Sequence, residues 1–215
     1  MRPLNFKSQP LIVRTVWVLL LAAMALALFE GRWSLAFVAL STFVLSLVPY
    51  VFERRFGIEL PVSFLAGTVA FIFATIFLGE AFDFYNRFWW WDVALHGGSA
   101  VGFGMVGFIF AFTLFEGSRY AAPAWAISLL AFCVALSIGA IWEVFEFAMD
   151  QIFGLNMQKS GLVDTMWDLI VDMIGASFGA LAGFFFLIGR EFGGLSGVIA
   201  EFVRLNRRLF RRLRR

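Results

Sequence analysis

The amino-acid sequence predicts an all-α polytopic membrane protein, a bundle of six transmembrane helices with both termini cytoplasmic. Three observations carry that reading. The 215-residue chain is 61% hydrophobic and 15% charged, with mean hydropathy +0.87, which is more apolar than a soluble domain of this size can cover. Six separate apolar runs each approach or exceed the roughly 20 residues that cross a hydrocarbon core of about 30 Å. The short connections between them hold most of the polar residues.

The expected spans are about 11–29, 33–52, 61–79, 92–115, 122–149 and 164–189, forming one membrane domain over 1–189 followed by a tail over 190–215. The first run has a basic lead and a long apolar core without a small-x-small cleavage site before Glu30, so it reads as a retained helix and not a signal peptide. The second and third runs are bounded by Glu-Gly-Arg at 30–32 and Glu-Arg-Arg at 53–55. Between the third and fourth lie Trp89, Trp90, Trp91 and Tyr85, an interfacial aromatic belt. The fifth run carries the single cysteine, Cys133, so no disulfide or thiolate cluster forms within one chain. Asn-Met-Gln-Lys-Ser-Gly at 156–161 leads into the sixth.

Basic residues favour the cytoplasmic side. With both termini inside, only Arg32, Arg87 and Lys159 of the 17 Lys and Arg residues face out. The composition and topology place the chain as a multi-pass protein of a bacterial inner membrane. The tail, with Ile199, Phe202, Leu205, Leu209 and Leu213 at helical spacing among arginines, is expected on anionic inner-leaflet lipid and not on nucleic acid.

The chemistry-bearing residues concentrate in the last three spans. At about 100° per residue, Asp164, Asp168 and Asp172 share one arc with Gly175, Gly179 and Gly183. That stripe runs from acid to glycine along one helix, and glycines four apart admit a close helix neighbour, within the chain or in a homo-oligomer. Asp92 and His96 stand one turn apart at the start of the fourth span, and Glu143, Glu146 and Asp150 share a face at the end of the fifth. In the expected topology all eight groups lie in the outer part of the bilayer. An ionised group near the membrane centre costs about 2.5 to 3.5 kcal/mol even on the lenient insertion scale. Glu143, Glu146, Asp168 and Asp172 must therefore face each other, water, a cation or a proton.

This inventory admits several chemistries. Glu143, Glu146, Asp164, Asp168 and Asp172 suit a hard divalent cation, Mg²⁺ or Mn²⁺, while Asp92, His96, Glu143, Glu146, Asp168 and Asp172 are the candidate acid, base or catalytic groups, with His96 oriented by Asp92. A proton relay through His96 is equally compatible with the residue types. A di-iron carboxylate centre is disfavoured because it normally uses two histidines. No nucleophile elbow marks Ser99, Ser160 or Ser177. The Asp-x₃-Asp pattern lacks the partner motifs of intramembrane prenyl and alcohol-phosphate transferases.

The blocks Trp-Asp-x-x-Leu-His at 91–96, the Glu-bearing fifth span, and Asp-Thr-Met-Trp-Asp-Leu-Ile-x-Asp-x-Ile-Gly-Ala at 164–176 resemble the YjdF-like (DUF2238) bacterial membrane proteins. More distantly they are similar to the VanZ-like family, from which Val93 and Asp172 depart where Lys and Asn are usual. The resemblance to VanZ-like proteins implies a role in the cell envelope and glycopeptide resistance, while the YjdF-like group implies no assigned reaction. The expected function is an outward-facing carboxylate and histidine site that binds or acts on an envelope amphiphile or lipid with a divalent cation. The alternatives are a small proton- or cation-coupled transporter and a non-catalytic assembly subunit.

Overall fold

A computed structural model of the chain describes residues 6–115, 122–190 and 193–210. Among them every regular element is helical, and six stretches are long and apolar enough to cross a membrane: Leu11–Phe29, Trp33–Phe56, Val62–Ala81, Trp91–Phe115, Ala124–Phe153 and Leu162–Leu187. The chain divides into two compact units, Met1–Trp89 and Trp90–Arg215.

In the first unit, α1 (Leu11–Phe29) packs on α2 (Trp33–Ser46). The indole of Trp17 donates to Ser46 Oγ at 2.9 Å, and the Tyr50 hydroxyl reaches Gln9 Oε1 at 2.8 Å. The second span bends between α2 and α3 (Val48–Phe56) at Leu47, because Pro49 at the start of α3 has no N–H for the continuing ladder. The helix runs on through the Glu-Arg-Arg stretch to Phe56 because Glu53 is buried, and its carboxylate accepts the Leu60 N–H at 2.6 Å. Gly57 at φ +64° closes α3, and the chain turns at once into α4 (Val62–Ile72).

The third span continues from α4 as a π-helical segment, Phe73–Ala81, whose wider turn shifts the helix face. Gly79 within it leaves room for the Tyr85 ring, which a Cβ there would strike. Asp83, in a left-handed conformation, then starts the short α5 (Phe84–Arg87) and accepts the Asn86 amide at 2.6 Å.

The second unit is built on α6 (Trp91–Phe115), α7 (Ala124–Phe153) and α8 (Leu162–Leu187). The buried face of α8 is Asp168, Asp172, Gly175, Ala176, Gly179, Ala180, Ala182 and Gly183, the same arc that passes from acid to glycine in the sequence. Its glycines meet α6 of the same chain. A Cβ on Gly179 would lie 2.8 Å from Gly104 Cα, one on Gly175 would lie 2.8 Å from Ala100 Cβ, and one on Gly183 would enter the Phe108 ring. Gly107 of α6 lies as close to α7, with Ala131 O 2.9 Å from its Cβ position.

The helix α9 (Gly194–Leu205) folds back on α8 and buries Ser196, Ile199 and Phe202, and α10 (Arg207–Phe210) sets Phe210 against Phe112 at 5.7 Å between ring centroids. Much of the tail's apolar side is therefore used in packing on the protein, while Arg204, Arg207, Arg208 and Leu209 are exposed. Arg211, Arg212, Leu213, Arg214 and Arg215 lie outside the described residues.

Candidate carboxylate and histidine centre

The start of α6, the end of α7 and the start of α8 meet at one end of the second unit. Their order makes this inevitable once α6 and α8 interlock at their glycines, because the seam draws the turns that bear His96 and Asp168 side by side. His96 is buried at 8% exposure, Glu143 at 4%, Asp168 at 4% and Asp172 at 2%.

His96 sits at the middle of the cluster. Its Nδ1 is 3.3 Å from Asp172 Oδ1, while its Nε2 is 3.9 Å from both Asp92 Oδ1 and Glu143 Oε1. The group that orients the imidazole is therefore Asp172, across the helix interface, and not Asp92 one turn earlier on α6. Asp92 pairs through its other oxygen with Lys159, whose Nζ lies 3.0 Å from Asp92 Oδ2.

Asp172 is wedged against Gly139 of α7, where a Cβ would strike the carboxylate. Its Oδ2 is buried without a hydrogen bond, as are both oxygens of Glu143. Thr165 stands beside Glu143 and its hydroxyl accepts the Gln158 amide at 2.6 Å; its approach to the Glu143 carboxylate falls short of hydrogen-bond geometry.

Two groups bring three donor atoms within 4.8 Å of one another, the fully buried His96, Glu143 and Asp168, and the outer Asp92, Asp164 and Asp168. Glu146 is half-buried and belongs to neither. Asp150 has a structural task, accepting the N–H groups of Met157 at 2.7 Å and Gln158 at 3.0 Å, which folds the turn after Gly154.

The family model described as "Predicted membrane protein (DUF2238)" matches residues 11–189. The chain belongs to the DUF2238 family. A relative from Thermotoga maritima, described as an uncharacterized protein, is 31% identical over 127 residues, and the match spans 59% of this chain and 65% of that relative. No solved structure matches the chain. The DUF2238 match takes in both units' membrane spans and every member of the cluster, and stops before α9.

Of three further contributors to this DUF2238 centre, Lys159 does not stand out in the sequence, while Gly139 and the α6 face carry a periodic signal. Gly139 continues a small-residue stripe on α7, with Ala131 and Ala135 at steps of four, that leads to Glu143 on the same face. Lys159 lies in a polar connection where a basic residue is ordinary. The α6 face that receives the α8 glycines does carry a signal, the small residues Gly97, Ala100, Gly104, Gly107 and Ala111 at helical spacing.

Proposed function

We propose that this DUF2238 protein is an inner-membrane protein of bacteria whose buried carboxylate and histidine centre, opening to the outer face, binds or acts on the polar head of an envelope amphiphile through a divalent cation. One observation carries the reading: Glu143 is 4% exposed, yet neither of its carboxylate oxygens has a hydrogen bond. A buried carboxylate without a partner costs several kcal/mol. A chain that needed only packing could place an apolar side chain there, so the group is held for something that arrives.

The chemistry follows from the donor set. Carboxylates attract a cation, and a cation held by two or three protein ligands keeps open positions for the phosphate oxygens of a lipid or carrier. His96, with Asp172 on one ring nitrogen, turns the other toward the carboxylates, where it can join them around a cation. Lys159 and Asp92 at the mouth add a charged pair beside the entrance.

The test is gentle detergent extraction of the full chain, with mass spectrometry of co-purifying lipid, and complementation of a deletion strain by Glu143→Gln and His96→Ala. The expected result is a bound phosphate-bearing amphiphile and folded variants that fail to complement. Normal complementation by both folded variants overturns the proposal. So does a pH-driven flux in proteoliposomes that Asp172→Asn abolishes, since that result makes the centre a transport relay.

A further inference from the structure

We infer that His96 Nε2, Glu143 and Asp168 form a three-ligand site for a divalent first-row transition cation of the Mn²⁺, Fe²⁺ or Zn²⁺ class, with Asp172 as its positioning residue. The inference rests on the functional reading above and narrows it from a carboxylate-rich cavity to a defined donor set.

The donors come from three different helices, and all three side chains are buried. Their ligand atoms lie within 4.8 Å of one another, with 3.9 Å between His96 Nε2 and Glu143 Oε1. That separation is too long for a hydrogen bond. Donors on one ion with bonds of about 2.1 Å stand roughly 3 Å apart at octahedral positions, so the side chains close by about an ångström on the ion. The unpartnered oxygens of Glu143 supply the independent sign that a ligand is missing from the hydrogen-bond network.

The arrangement around the ring assigns the roles. A metal-bound imidazole usually gives its second N–H to a carboxylate, which fixes the tautomer and the ring plane. Asp172 Oδ1 at 3.3 Å from Nδ1 is in that position, and it leaves Nε2 free on the side of Glu143 Oε1 and Asp92 Oδ1, each 3.9 Å away. Gly139 leaves the space that the Asp172 carboxylate occupies, since a Cβ there would strike it.

Asp92 is taken by Lys159 and Glu146 stands outside the group, so neither is a ligand in this assignment. The imidazole then sets the preference. Mg²⁺ and Ca²⁺ favour all-oxygen shells, whereas one nitrogen with carboxylates suits Mn²⁺, Fe²⁺ and Zn²⁺.

The experiment uses the full chain in mild detergent, stripped with chelator and titrated with Mn²⁺ alone, read by electron paramagnetic resonance and elemental analysis. One Mn²⁺ per chain is expected, and a tenfold excess of Mg²⁺ should not displace it. Glu143→Gln should lose the stoichiometric ion, while Glu80→Gln, which removes an exposed acid from the first unit, should keep it. Asp172→Asn should still bind one ion, with affinity lower by about 10- to 100-fold and an altered resonance line shape.

Folding of each variant is checked by circular dichroism and monodispersity. Full Mn²⁺ binding by folded Glu143→Gln, or ready displacement by Mg²⁺, overturns the inference. An amphiphile that co-purifies with a chain taking up Mg²⁺ but no Mn²⁺ also overturns it while leaving the functional proposal standing. Stoichiometric Mn²⁺ without any amphiphile does the reverse.

Discussion

The two units of this protein each bury acid inside an apolar helical frame, and they treat it in opposite ways. In Met1–Trp89, Glu53 at 3% exposure receives the Leu60 N–H, and the neighbouring buried Thr42, Ser46 and Gln9 are hydrogen-bonded as well. In Trp90–Arg215, Glu143 at 4% exposure is left with two idle oxygens and Asp172 with one. Burial alone does not distinguish these carboxylates. Satisfaction does: Glu53 closes a turn, while Glu143 faces a histidine and another acid across a helix interface.

The second unit is most vulnerable at the seam that creates it. Gly179→Val would drive a side chain into the backbone of α6 at Val101 and Gly104, and we expect a loss of about 3 kcal/mol or more, seen as a much lower melting temperature in detergent or failure to yield monodisperse protein. A Gly57→Val change in the first unit, at φ +64° but in open space, should cost less because only backbone strain opposes it.

The sharpest contrast is between two identical substitutions. Glu53→Gln weakens a charge-assisted bond to a buried N–H and should cost about 1 to 2 kcal/mol. Glu143→Gln removes an unpartnered buried charge, so the ion-free protein should hold or gain stability while losing function. Thermal unfolding of both variants in one chelator-containing buffer measures the pair, and an equal loss in both would erase the distinction drawn between the units.

The smallest effect is expected at the mouth. Lys159→Met removes a half-exposed ion pair with Asp92, and stability should change by no more than about 1 kcal/mol. Its effect on the salt dependence of Mn²⁺ uptake is the more informative measurement.

Much of the fold is legible in the chain, because apolar runs of about 20 residues leave few alternatives to spanning helices. The face of α8 is legible too, since Asp168, Asp172 and the three glycines repeat at a spacing that keeps them on one side. What periodicity does not contain is the pairing across helices. It puts Asp92 beside His96 because they are four apart, but the imidazole turns to Asp172, which lies 76 positions along the chain. It groups Asp150 with Glu143 and Glu146, yet the glycine at 154 ends the helix and turns the Asp150 carboxylate to the following backbone. The π-helical turn at Phe73–Ala81 is likewise invisible to an analysis that assumes 100° per residue.

The glycine seam between α6 and α8 has one more consequence. Two helices that touch backbone to backbone over successive turns have little freedom to slide or rotate, so the separation between the imidazole on one and the carboxylates on the other is set when the helices dock. The entropy of gathering those groups is lost during folding, before any guest arrives. The backbone of such a centre is preorganised: for the cation proposed above only side chains would have to move, and the distances they start from are set by the spacing of glycines several turns away.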